Sequence, residues 1–144
     1  MKRYYYHITD KHWPKTITLI PQAEGENRDE DEPLIPRICV CSTIEQCMVA
    51  VYLYTCDVYS IYRTKEKITA KRAQCINDSY ITDEHWVLKP TKFIKIGKID
   101  FEQIGDREWD DFVQLGDGLE ESEEWQKQSL HYLKQLHLSF LLQS

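Results

Sequence analysis

At 144 residues, with 42% apolar residues, the chain has the length and composition of one domain with its own core. A formal net charge of -6 argues against a nucleic-acid binder that depends on bulk positive charge. Five cysteines without a disulfide-framework spacing, no apolar run of membrane-spanning length, and no apolar stretch behind Lys2-Arg3 point to a reduced, cytoplasmic setting with no membrane partner.

Residues 4–9 and 16–20 are short, aromatic or β-branched, and predict two strands around a Trp13-Pro14 turn. Residues 23–33 are polar, acidic and bounded by prolines, as an exposed loop would be. Ile38-Cys39-Val40-Cys41 predicts a compact apolar strand. Ser42 and Thr43 then stand as N-caps, with Glu45 and Gln46 at capping-box positions, and a helix over about 43–53 follows. Residues 57–63 alternate as a strand, and the basic stretch 65–75 reads as a short helix or a loop. Residues 79–82 and 85–88 look extended, and 93–99 alternates apolar and basic residues like a half-buried strand.

Composition changes after Gly105. Residues 106–124 are strongly acidic, and a leucine-rich helix spans about 120–142. The expected architecture is therefore α+β: a small mixed or antiparallel sheet with flanking helices in residues 1–104. Residues 105–144 would be an acidic segment and an amphipathic helix that packs on that domain or on a partner. Self-association through this helix is one expectation.

Two short segments carry the candidate chemistry, Tyr6-His7-Ile8-Thr9 and Glu84-His85-Trp86-Val87. On a strand, His7 shares a face with Tyr5 and Thr9, a setting able to hydrogen-bond a ribose or phosphate. Glu84 opens an apolar strand, where a carboxylate can stabilise a developing cation; Asp83 and His85 are substitutes in that role. A half-exposed strand histidine and a solvated strand-end charge are the plainer alternatives. Cys39, Cys41 and Cys47 have the spacing of core residues, so no metal is expected. Lys65, Lys67, Lys71 and Arg72, near Tyr59 and Tyr62, form a basic stretch that a solvated face explains. Neither a Walker loop nor a G-x-G-x-x-G fingerprint is present.

The order of these elements resembles the ADP-ribosyltransferase-like fold of the His-Tyr-Glu branch, which includes diphtheria-type and DNA-targeting toxins. Tyr6-His7-Ile8-Thr9 is similar to the opening strand of the DNA-targeting toxins. Ile38-Cys39-Val40-Cys41 with its helix resembles the second strand and helix, and Glu84-His85-Trp86-Val87-Leu88 the strand that the catalytic Glu opens. The resemblance covers about residues 4–99. It implies NAD as cofactor, His7 as the ribose contact with Thr9 beside it, Glu84 as the catalytic carboxylate and Arg37 as a phosphate contact. Cys39 stands where the family has a stacking Tyr, so a ring would come from elsewhere, such as Tyr54, with Tyr52 and Tyr59 as alternatives.

Two functions follow as expectations. One is mono-ADP-ribosyl transfer from NAD, or a related nucleotide, to a protein or nucleic-acid acceptor. The other is a non-catalytic nucleotide-binding or inhibitory protein, for example of a phage or mobile element, that uses the cleft or the acidic tail.

Overall fold

The computed structural model describes residues 1–23, 35–50, 58–73, 79–100, 123–136 and 142. Its strands are β1 (Tyr6–Thr9), β2 (Thr16–Leu19), β3 (Ile38–Cys41), β4 (Val58–Thr64), β5 (Lys71–Arg72), β6 (Glu84–Val87) and β7 (Thr91–Asp100). The helices are α1 (Ile44–Ala50), α2 (Ser79–Thr82) and α3 (Glu123–Leu136). Among the described residues every strand pairing is antiparallel, in the spatial order β2-β7-β4-β1-β3-β6-β5. The α+β class with an antiparallel sheet is thus realised. None of the described helices is long and apolar enough to cross a membrane.

The sheet is apolar on both faces. Ile8, Cys41, Tyr59, Ile61 and Ile99 pack under α1 and α3, against Cys47, Met48, Val49 and Leu133. Tyr5, Ile38, Val40, Tyr62, Val87 and Phe93 form a second cluster on the opposite face, with the partly buried Trp13, Ile17, Leu19, Ile68 and Ala70 packed against it. This division follows from the two-residue period of a strand: neighbours in sequence go to opposite faces, and cross-strand partners share one.

Helix α1 starts where its capping signal places it. Thr43 Oγ1 accepts from the Gln46 backbone amide at 3.2 Å, and the Thr43 hydroxyl donates to Gln46 Oε1 at 2.8 Å. The segment 79–82, expected to be extended, is instead one helical turn. The chain leaves that turn through Asp83 at φ 51°, a left-handed conformation that Asp tolerates, and swings into β6. The basic stretch 65–75 contributes β5 and the bridge of Ile68 to Arg3.

Cys41 of β3 and Cys47 of α1 are both buried between the helix and the sheet, and the Cys47 thiol donates to Tyr6 O at 3.0 Å. The hydrogen bond with Cys47 pushes the Cys41 thiol well above its usual range; burial and the nearby Cys47, Glu84 and Cys39 push the same way. An acid whose folded pKa is raised contributes stability below its unfolded pKa, about 8.5 for a thiol, and that contribution is lost as pH rises through the folded value. Urea midpoints should therefore decline above about pH 8.5, and Cys41→Ala should flatten the decline. An equally steep decline in the variant would assign the effect to other groups.

Candidate functional site

Strand register decides which sequence-level candidates meet. Tyr6 pairs with Cys41, and Cys41 with Glu84, so these three form one row on the helix face. His7 pairs with Tyr62, and Val40 with His85, on the opposite face. His7 and Glu84 thus sit on opposite sides of the sheet. Glu84 Oε2 accepts from Trp86 Nε1 at 3.0 Å. Arg37 shares that side, buried, with its guanidinium carbon 4.1 Å from the centre of the Trp86 ring. Thr9 lies on the His7 face, where its Oγ1 accepts from the Lys11 amide. Tyr54 falls outside the described residues, and Tyr59 is buried on the helix face.

The His7 face has its own polar and aromatic set. His7 Nδ1 lies 2.8 Å from Cys39 O. A carbonyl only accepts, so Nδ1 carries the proton in this contact and the ring orientation is fixed. Trp13 stacks on the imidazole, with centroids 5.8 Å apart and planes 14° apart, and Phe93 tilts against it at 6.1 Å. The Tyr62 hydroxyl lies 2.8 Å from Trp13 O and 3.0 Å from Pro14 O, which holds the β1–β2 turn over this face. Burial raises the Tyr62 phenol above its ordinary pKa.

Further along the same face, Tyr5 meets the His85 ring at 5.0 Å. Burial raises the Tyr5 phenol, and the Asp83 carboxylate adds to the shift while Arg3 opposes it. Asp83 Oδ2 accepts from Ser42 Oγ at 2.6 Å, and Asp83 Oδ1 stands 4.0 Å from Arg72 Nε. His85 Nδ1 donates to Asp83 O at 2.8 Å. Among the described residues, Asp83 brings a carboxylate to the edge of this face, just before β6 and two strands from β1; two strand spacings amount to about 10 Å. The helix-side row of Glu84, Trp86 and Arg37 is a separate constellation.

Sequence reasoning placed Trp13 only as a turn marker and gave Lys95 and Lys98 no role beyond strand alternation. A signal for the lysines was present. Two lysines three residues apart on an alternating strand, with Gly97 between them, break the period where a bulge would form. No family model, curated protein or solved structure matches the chain.

Proposed function

We propose that the chain binds NAD or a related nucleotide on the sheet face that carries His7, as a non-catalytic module of ADP-ribosyltransferase-like design. The observation that carries this reading is the alternation across β1, β3 and β6, which turns Glu84 away from His7. What remains beside His7 suits recognition: an imidazole of fixed orientation, the Trp13 ring and the hydroxyl of Thr9. Rings of this kind stack on a base or nicotinamide, and hydroxyl and imidazole groups hydrogen-bond ribose.

Isothermal titration with NAD and ADP-ribose, paired with chromatography of released nicotinamide, tests it. Binding without nicotinamide release is expected. Glu84→Ala should leave the affinity unchanged, whereas Trp13→Ala should weaken it by roughly ten-fold, the scale of one lost stacking contact. Loss of binding in Glu84→Ala with retained fold would move the site to the helix side and end this reading.

A second reading, ADP-ribosyl transfer, draws on the presence of Asp83 on the His7 face. It requires nicotinamide release that Asp83→Asn abolishes and Glu84→Ala does not. The titration and release assays separate the two in one series.

A further inference from the structure

Strand β7 breaks its own period. Tyr62 pairs with Lys95 and Ile61 with Gly97, so Ile96 is an extra residue in the ladder. Gly97, next to the extra residue, takes φ 155°, a conformation that a Cβ disfavours. On a regular strand, residues three apart point to opposite faces. The bulge cancels that inversion, and Lys95 and Lys98 both come to the His7 face.

Two rows result. His7, Tyr62 and Lys95 are cross-strand neighbours over β1, β4 and β7; Thr9, Ser60 and Lys98 are the next row on the same face. Neighbours in a row stand about 4.8 Å apart and the rows about 7 Å apart, so the set spans no more than the length of one small ligand. Ser60 is 1% exposed, and its Oγ has no hydrogen-bond partner among the described residues. A buried hydroxyl left in that state is costly unless a ligand or water meets it. The ion pairs among the described residues involve Asp83 and leave Lys95 and Lys98 out.

We infer that the Thr9–Ser60–Lys98 row, with Lys95, is the subsite for the phosphate groups of the ligand. The inference rests on the nucleotide reading and orients it: the ring-bearing end lies by His7 and Trp13, and the anionic end lies toward β7. Two ammonium groups and two hydroxyls supply the charge-assisted hydrogen bonds that phosphate oxygens accept. Arg37, on the other side of the sheet, takes no part.

The test is titration of the wild type and of the Lys95→Ala/Lys98→Ala double variant with ADP-ribose and NAD, and with the uncharged nucleoside adenosine. Both lysines are only half-buried, and thermal melts check that the variant is folded. The expected result is a loss of at least about ten-fold for the phosphate-bearing ligands in the variant, shrinking at high salt, with adenosine affinity unchanged. Ser60→Ala, which removes only the hydroxyl, should weaken the same ligands and spare adenosine. Wild-type affinity of the double variant for NAD would overturn the subsite and leave the nucleotide reading standing. A wild type that binds none of the three would overturn both.

Discussion

Phe93→Ala will lower the folding stability by about 3–5 kcal/mol, the range for removing a buried aromatic ring. Phe93 is 0% exposed and sits in β7 between Thr64 of β4 and Ile17 of β2. Its ring packs in the cluster of Tyr5, Ile38, Val40, Tyr62 and Val87, and tilts against His7. Truncation leaves a cavity that strand backbones, tied on both sides, cannot collapse to fill. The urea midpoint should fall at an unchanged slope. Phe93→Leu, which keeps much of the volume, should recover most of the loss. A loss below about 1 kcal/mol would mean that this face is not a packed layer. In that case the orientation of Trp13 and His7 would lack its support, since both rings lie against this cluster.

Much of the fold was legible because the signals were local. Aromatic and β-branched residues marked β1 and β2, alternation marked β4 and β7, and the Thr43–Gln46 capping pair marked the start of α1. Ser79-Tyr80-Ile81-Thr82 was misread for an instructive reason. Its residues favour strands intrinsically, yet the chain must reverse between the antiparallel β5 and β6, and it enters β6 through a helical turn that ends at Asp83 with positive φ. The Ile96 bulge is a mixed case: Gly97 and the three-residue lysine spacing mark a break in β7 itself, but which residue is extra is set only by the pairing with β4.

The site was legible to a smaller degree. Period-two reasoning put Tyr5 and Thr9 on the His7 face correctly, because that requires one strand only. Whether Glu84 or His85 joins them depends on the register of β1 on β3 and of β3 on β6. One residue of slip in either ladder exchanges the faces, and spacing along the sequence carries no information about it. The resemblance supplied an order of elements, and order is blind to parity. The rings on this face came from a turn residue, Trp13, which stacks on His7, and from Tyr62 in β4, which tilts against Trp13; both contacts exist only in the tertiary fold.

Leu133→Ala tests whether the C-terminal helix is part of the sheet's core. Leu133 is 0% exposed in α3 and belongs to one cluster with Met48 and Cys47 of α1 and Ile61 and Ile99 of the sheet. Leu130 and Leu136 pack on the same cluster, so the leucine stripe is directed inward. Removing Leu133 should cost about 2–5 kcal/mol, as for other buried leucines. The distribution of that cost separates two architectures. With a shared core, unfolding followed by tryptophan fluorescence and by far-ultraviolet circular dichroism gives coincident transitions, and the substitution shifts both together. With a detachable helix, the helical signal would melt first and the transition of the sheet would stay in place. The buried thiols offer an independent readout. Cys47 lies under the same helix and donates to Tyr6 O, so its reaction with a thiol reagent should require unfolding in the wild type. In Leu133→Ala that reaction should speed up in proportion to the lost stability, because the opening that exposes Cys47 is then the opening of the whole core.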